Sequence, residues 1–151
     1  AACAVRSASV RSRSEREGAT LGRPCRVPYR EDRDMSETYD LYQQGREHLA
    51  AGQAAQATVA LEKAKKREPR KASIREALGI AYYRIRRFAE AEEEFRTILE
   101  LEPVDHYAHF ALGRCLEKQG RPDEAVGHYR LASFFRPQSR DYRRALAKLE
   151  S

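Results

Sequence analysis

Apolar and polar residues alternate along this chain with the period of an amphipathic helix, and the pattern recurs at a fixed interval. One apolar stripe contains Leu61, Phe95 and Tyr129, which lie 34 residues apart. Three residues after each of them comes a second apolar position, Ala64, Ile98 and Ala132. A second stripe precedes it in each interval, as in Ala77, Leu78, Ala81, Tyr82 and Ile85. Spacings of three and four residues place such positions on one helix face. The pattern therefore predicts two helices in every interval of 34 residues.

Small residues and prolines keep the same period. They are Gly45, Gly79 and Gly113; Ala57, Ala91 and Ala125; and Pro69, Pro103 and Pro137. A fixed period of this length is typical of a solenoid of stacked helical units rather than of one globular core. Proline lacks the amide hydrogen that continues a helix and restricts the residue before it. Each proline is therefore predicted to follow the end of the second helix of its unit.

Short turns are predicted between the two helices of each unit, at residues 52–53, 86–87 and 120–122. Gly52 and Gly120 suit a helix C-terminus because glycine adopts the left-handed conformation without steric cost, and Pro122 suits the first position of the next helix. Asp105 and Ser139 are predicted to cap helix N-termini.

These registered positions resemble the tetratricopeptide repeat, whose pattern includes Leu-Gly, Tyr, Ala, Phe and Pro over 34 residues. The second unit carries Leu78-Gly79, Tyr82, Ala91, Phe95 and Pro103, and the third carries Leu112-Gly113, Leu116, Ala125, Tyr129 and Pro137. The first unit departs from the pattern at Gln44, His48 and Leu61, and the tryptophan of the pattern is replaced by Leu41, Arg75 and His109. The resemblance implies an all-α fold, an α-solenoid of three tetratricopeptide helix pairs plus a C-terminal capping helix.

The resemblance also divides the chain. It implies a repeat domain over 35–151, with repeats at 38–71, 72–105 and 106–139 and a capping helix at 139–150. A weak first unit is expected where one side of an array has no neighbour to pack against. After Pro137, Tyr142, Leu146 and Leu149 lie on one stripe among basic residues, which suits a helix that covers the last repeat.

The first 34 residues have a different composition, with eight arginines, no lysine and no apolar period. Such a segment buries too little surface to offset its ordering entropy, so we expect disorder. Met35 is the only methionine, and Ser36-Glu37 directly after it suits a helix N-terminus. One hypothesis is that the native protein starts at Met35. The alternative is an organellar transit peptide, because residues 1–14 are rich in Arg and Ser and contain no acidic residue.

The formal net charge of +6 raises the question of nucleic-acid binding. Half of this excess lies in residues 1–34, which contain eight basic and five acidic residues. In the repeats, the basic clusters at 63–67 and 84–87 are balanced by the glutamates at 90–94. Specific nucleic-acid binders usually concentrate charge on one surface, so a solvated face is favoured and nucleic-acid association is disfavoured.

The sequence groups no residues that suggest catalysis. His106 and His109 share a helix face, but no cysteine or carboxylate is spaced to complete a zinc site. Cys115 stands at a position expected to pack in the core, with no base identifiable beside it. We therefore expect no catalytic residue, no metal and no cofactor. The odd number of cysteines, and the absence of a long apolar run or a secretory signal, favour a cytoplasmic protein that binds no membrane.

In a solenoid of this type, function is expected on the concave side, which the first helix of each pair lines. The residues predicted to contact a partner are Tyr39, Tyr42, Arg46, Glu76, Ile80, Tyr83, Arg84, Tyr107, Phe110, Arg114, Glu117, Arg144 and Lys148. Aromatic rings and guanidinium groups are favoured interface anchors. We predict a non-catalytic scaffold that binds a protein or peptide with apolar anchors and at least one carboxylate. The competing interpretation of the rings is packing between repeats.

Two further functions have less support in the sequence. Chaperone-binding members of the family hold a peptide C-terminus with a clamp of lysine, asparagine and arginine. The corresponding region here contains Tyr42, Arg46, Ala77, Tyr107 and Ala111, so only Arg46 offers a suitable charge and a chaperone role is disfavoured. The alternative is a structural rather than a binding function. In it the first unit, which matches the repeat pattern least well, stacks on a second copy of the chain to form a homo-oligomer.

Overall fold

The computed structural model describes residues 30–151, and this part of the chain is helical throughout apart from short connections. Its seven helices are α1 (Arg30–Ala50), α2 (Ala54–Arg67), α3 (Ala72–Arg84), α4 (Phe88–Leu101), α5 (His106–Lys118), α6 (Pro122–Phe135) and α7 (Arg140–Glu150). Residues 34–151 form one compact unit. The predicted all-α solenoid with a C-terminal helix is confirmed. The predicted disorder of residues 1–29 lies outside the described residues.

The helices pack in chain order. Helices α2 and α3, α3 and α4, α4 and α5, α5 and α6, and α6 and α7 are in contact. Gly45 of α1 lies against Leu61 of α2, which joins the first pair. Each pair thus contacts only its neighbours, as in a solenoid, and α7 packs against α6 next to the third pair.

The periodic glycines mark close approaches between the two helices of a pair. A Cβ atom on Gly79 would lie 2.8 Å from Cζ of Phe95, and one on Gly113 would lie 2.7 Å from Cε1 of Tyr129. Real Cβ atoms do not approach so closely, because the overlap is repulsive. Both rings are fully buried. The period of glycine and aromatic positions in the sequence therefore reflects a ring packed against bare backbone in each unit.

The turn inside each pair requires a left-handed residue. Gly52 and Gly120 have φ angles of 77° and 78°, and Arg86 occupies the equivalent place with φ 66°. The predicted turns are confirmed, including the one without glycine. A side chain in this region costs about 1–2 kcal/mol, because its Cβ crowds the following carbonyl oxygen.

Replacing Arg86 by glycine should therefore stabilise the protein. Glycine relieves the crowding but adds freedom to the unfolded chain, so we expect a net gain of about 0.5–1 kcal/mol in the free energy of unfolding. Urea denaturation followed by circular dichroism measures it. Gly120→Ala, at the equivalent turn, should change stability in the opposite direction; a loss in both variants would contradict the strain argument.

Local signals at the helix ends agree well with the structure. Helices α2, α4 and α6 end two residues before Pro69, Pro103 and Pro137, as predicted. Asp105 accepts hydrogen bonds from the backbone amides of Tyr107 and Ala108 at 2.8 and 3.0 Å, so this cap is confirmed. Ser139 occupies the N-cap position of α7, but its side chain accepts no capping hydrogen bond.

The start of the first helix differs from the prediction. Helix α1 begins at Arg30, so Ser36 lies inside it and does not cap it, and residues 30–34 are helical rather than disordered. No glycine or proline lies between Arg30 and Ser36 to stop the helix. Thr38 donates a hydrogen bond to the carbonyl of Asp34 at 2.8 Å, four residues earlier, which the continuing helix makes available.

In each unit, one further pair of equivalent positions faces across the two helices. The residue types at these two positions differ from unit to unit. The pairs are Leu41 and Ala60, Arg75 and Glu94, and His109 and His128, always one repeat apart. Leu41 and Ala60, both apolar, line one hollow. Arg75 Nη1 and Glu94 Oε2 lie 2.7 Å apart, and the two Nδ1 atoms of His109 and His128 lie 3.1 Å apart.

The polar pairs also reach the preceding turn. Arg75 Nε donates to the carbonyl of Pro69 at 2.6 Å, and His109 Nε2 lies 3.0 Å from the equivalent carbonyl of Pro103. Because a carbonyl only accepts, Nε2 of His109 carries the proton, so Nδ1 of the neutral ring accepts from Nδ1–H of His128. Arg75 and His109, which make these contacts, stand where the family pattern has a tryptophan.

This arrangement predicts acid sensitivity in the third unit. Burial lowers the pKa of His128, and His109 and Arg96 act in the same direction, while Glu124 and Glu92 oppose them. The unfolded chain then binds more protons than the folded one, so the stabilisation is present above about pH 6.5 and declines as the pH falls. Melting temperatures at about pH 7.5 and pH 5.5 measure the effect.

The matched variant carries His109→Arg and His128→Glu, which recreates the pair of the second unit. Its melting temperature should fall less over the same pH interval than that of the unmodified protein. An equal fall in both proteins would assign the acid sensitivity to other groups.

Candidate partner-binding groove

Three adjoining hollows form a continuous groove along α1, α3, α5 and α7. The first is lined by Tyr42, Arg46, Leu49, Ser73, Glu76, Ala77 and Ile80. The middle hollow, of about 360 Å³, is lined by Ile80, Tyr83, Arg84, Phe95, Tyr107, Phe110, Ala111 and Arg114. The third is lined by Tyr83, Phe110, Arg114, Glu117, Lys118, Tyr129, Asp141, Arg144, Ala145 and Lys148. Shared residues connect the hollows, and we call this surface the groove.

The structure brings all but one of the predicted partner-binding residues to the groove. The exception is Tyr39, which is exposed on α1 and accepts a hydrogen bond from Gln43 at 2.7 Å. Its equivalents Ser73, Tyr107 and Asp141 line the hollow between their own helix and the preceding first helix. Within the described residues no first helix precedes α1, so Tyr39 has no hollow to line. Whether the other residues bind a partner stays a prediction.

Two positions on each first helix build the wall of the groove. One is occupied by Arg46, Ile80, Arg114 and Lys148, and the other by Tyr42, Glu76, Phe110 and Arg144. The two positions are four residues apart, so they are neighbours on one helix face. The 34-residue period therefore places cationic, aliphatic and aromatic side chains in adjacent rows.

Arg114 is the best-fixed cation of the groove. Its guanidinium carbon lies 4.7 Å from the ring centroid of Tyr83 and 5.9 Å from that of Phe110. Its Nη2 also donates to the hydroxyl of Tyr83 at 3.0 Å. Attraction to the ring faces and one hydrogen bond orient the group while leaving it exposed. It can therefore bind an anionic group with little further ordering.

The aromatic rings have a double role. Phe110 stacks on Tyr142 with centroids 4.6 Å apart, and Tyr107 packs edge-on against Phe95 at 6.5 Å. Packing between repeats, the competing interpretation of these rings, therefore accounts for part of their surface. Both remain partly exposed in the groove, so they also offer apolar surface to a ligand.

Positive charge dominates the groove. Within residues 33–151, Arg46, Arg84, Arg114 and Arg144 form no ion pair with a carboxylate. Glu117, in contrast, is paired with Lys148 at 2.6 Å and accepts from the hydroxyl of Tyr129 at 2.9 Å.

The two glutamates of the groove differ in their electrostatics. The hydrogen bond from Lys148 is the main cause that lowers the pKa of Glu117, and Tyr129 contributes to it. Burial, with a smaller contribution from Asp105, raises the pKa of Glu76. Glu117 is thus already neutralised by its partner, and the charge of Glu76 is disfavoured. Neither glutamate therefore offsets the positive charge of the four arginines.

Sequence reasoning missed the floor of the groove. It considered only the first helix of each pair, whereas Phe95 and Tyr129 reach the hollows from the second helices α4 and α6. The signal that was available is the glycine of the first helix, because Gly79 and Gly113 leave room for these rings.

The candidates for other chemistry have structural partners. Cys115 is buried as predicted, and burial raises the pKa of its thiol to about 12, so the reactive thiolate is disfavoured. His106 lies 3.0 Å from the hydroxyl of Tyr142, whereas His109 faces His128. No group of three potential metal ligands occurs in residues 33–151. Nor does the described part of the chain contain a helix that is long and apolar enough to cross a membrane.

Comparisons with known proteins agree with this architecture. A family model described as tetratricopeptide repeat matches residues 42–101 and 77–140. Superkiller complex protein 3 of Mus musculus is 33% identical over 84 residues, which is 56% of this chain and 5% of that protein. The chain thus spans a small part of the curated relative that it matches.

Solved structures share the fold. The Arabidopsis OM64 TPR domain has a TM-score of 0.74 and 20% identity, with 77% of this chain and 96% of that chain covered. The first TPR domain of Spaghetti (RPAP3), bound to the HSP90 peptide SRMEEVD, has a TM-score of 0.73 and 19% identity, with coverage of 76% and 91%. With its period, its glycine and aromatic contacts and the matching family model, this chain belongs to the tetratricopeptide repeat family.

Proposed function

We propose that the repeats form a non-catalytic interaction module that binds a partner protein or peptide in the groove. The observation that carries the proposal is a row of arginines without carboxylate partners, interleaved with partly exposed rings, along one continuous groove. Burying a cation and an anion together is favourable only when they are paired, so a ligand with a suitably placed carboxylate would complement this surface. The Spaghetti domain, which shares this fold, is bound to the peptide SRMEEVD, whose glutamates and aspartate carry carboxylates, and this supports the proposal.

The middle hollow suits an apolar side chain next to an acidic group. Ile80, Tyr107 and Phe110 provide apolar walls, and Arg84 and Arg114 stand at the rim. Arg84 already donates to the carbonyl of Leu49 at 2.5 Å, which limits its movement. Because both guanidinium groups are pre-positioned, a ligand carboxylate would lose little free energy to ordering on binding. We infer that the ligand has at least one apolar anchor and one carboxylate.

The other functions receive less support. Gln44 and His48 occupy the exposed side of the first unit at positions where the later units bury Leu78, Tyr82, Leu112 and Leu116. His48 is also hydrogen-bonded to Gln53 at 2.8 Å. A polar face of this kind opposes stacking of a second copy on the first unit. On α2 and at the start of α4, Lys65, Arg67 and Arg87 are paired with glutamates, which lowers the positive charge that these clusters offer to nucleic acid.

A peptide-display library screened against the full chain tests the proposal. The selected peptide is then titrated by fluorescence anisotropy against the protein and two variants. Arg114→Ala together with Tyr83→Ala should weaken binding about tenfold or more, since both groups act as anchors. The matched control, Arg70→Ala together with Arg143→Ala, removes exposed arginines outside the groove and should leave affinity unchanged. Equal affinity for both variants would contradict groove binding.

A further inference from the structure

The outer face of the third helix pair differs from that of the first two. Leu131, Phe134 and Phe135 on α6 are 42%, 77% and 36% exposed. At the equivalent positions α4 carries Thr97, Glu100 and Leu101, and α2 carries Lys63, Lys66 and Arg67. Helices α2 and α4 therefore pack in the same fold although most of their side chains at these three positions are polar. The apolar residues of α6 are not required for packing of the repeat.

These residues lie together on one side of α6. The rings of Phe134 and Phe135 lie 5.6 Å apart, and Phe135 stacks on His109 at 5.8 Å. We call Leu131, Phe134 and Phe135 the apolar patch; none of them lines the groove. Contiguous exposed patches of a few hundred Å² commonly mark interaction sites.

The spacing of the patch indicates the shape of its partner. Residues 131, 134 and 135 follow the i, i+3, i+4 pattern, which forms a ridge along one side of a helix. Such ridges pack into the grooves between side chains of another helix. An amphipathic helix laid along α6 would therefore cover the patch.

The charge around the patch indicates the partner's chemistry. The stretch 127–140 contains Arg130, Arg136 and Arg140 and no carboxylate. Arg136 pairs with no carboxylate in residues 33–151, and Arg130 shares its charge with Glu150 at 2.7 Å. A second copy of this chain would bring the same arginines together, which is unfavourable. Carboxylates on the partner would complement them.

We propose that the apolar patch docks an amphipathic helix of a partner protein whose apolar stripe is flanked by aspartate or glutamate. This surface is separate from the groove, so the module holds two ligands at once, one in the groove and one on the outer face of α6. The proposal does not depend on groove binding.

Two synthetic helical peptides test this proposal with the full chain. Both carry the same leucine stripe; one is flanked by glutamates and the other by lysines. In fluorescence anisotropy, the glutamate peptide should bind at least about tenfold more tightly than the lysine peptide. Leu131→Thr with Phe134→Glu, which copies the residues of α4, should weaken this binding about tenfold or more. Phe135 is left in place because it packs on His109.

Two control variants separate this site from other surfaces. Val59→Glu changes the exposed valine on the outer face of α2 to the residue that α4 has there, and should leave the affinity unchanged. Arg114→Ala in the groove should also have no effect, which distinguishes the two sites. Equal binding of the two peptides, equal weakening by Val59→Glu, or no saturable binding up to about 1 mM would overturn the proposal. So would a dimer in sedimentation experiments that Phe134→Glu dissociates, because the patch would then cover itself.

Discussion

Glu94→Ala should lower the free energy of unfolding by about 3 kcal/mol, because it removes one partner from a buried charge cluster. The Glu94 side chain is only 3% exposed and pairs with Lys65 of α2 and with Arg75 of α3. Arg75 is 12% exposed and would keep its charge without a carboxylate. Since the cluster joins the first unit to the second, the loss affects the interface as well as the pair itself. Urea denaturation followed by circular dichroism measures the change.

Glu93→Ala is the matched control, since Glu93 is the exposed neighbour of Glu94 on the same helix. It makes no side-chain ion pair within residues 33–151, so its removal should change stability by less than about 0.5 kcal/mol. A loss of similar size in both variants would mean that helix propensity or net charge, and not the buried cluster, is responsible.

Gly113→Ala should destabilise the protein by about 2 kcal/mol, although alanine favours helices more than glycine does. The new methyl group would lie 2.7 Å from the ring of Tyr129, which is fully buried and cannot move away freely. Any shift of the ring also strains its hydrogen bond to Glu117, at 2.9 Å. Overpacking therefore outweighs the gain in helix propensity of about 1 kcal/mol. Thermal and urea denaturation measure the net effect.

Gly127→Ala provides the comparison, because Gly127 lies inside α6 with no atom within 4 Å of a built Cβ. This change should raise the free energy of unfolding by about 0.5–1 kcal/mol through helix propensity alone. Opposite signs for the two glycine changes are the expected result. A gain in both would show that the Tyr129 ring moves aside at little cost.

Much of the fold follows from local rules that the sequence displays directly. Pro69 marks the end of α2 because proline cannot continue a helix, and Gly120 marks a turn because it adopts positive φ. The 34-residue period extended these rules to Arg86, whose turn has no glycine. The period also predicted which residues line the groove, since equivalent positions face the same side of a regular stack.

Contacts that depend on one particular unit could not be predicted in this way. The pairs formed by Glu94 and by His128 occupy equivalent positions, but their residue types differ, so no repeated signal indicates them. Tyr39 was assigned to the groove by the 34-residue period. A residue at this position lines a hollow only where another first helix precedes its own helix. The start of α1 was missed because Ser36 is a good cap in isolation, whereas no glycine or proline between Arg30 and Ser36 stops the helix.

The unlike pairs that close the units also bear on misfolding. Arrays of similar repeats risk shifting by a whole unit during folding, so that a first helix takes the second helix of another unit as its partner within the hairpin. Such a shift would place Arg75 against His128 instead of Glu94, so that Arg75 would lose its carboxylate partner. Each hairpin thus has its own pair of residues at these positions, and wrongly matched helices leave the charge of Arg75 in the interior without a partner.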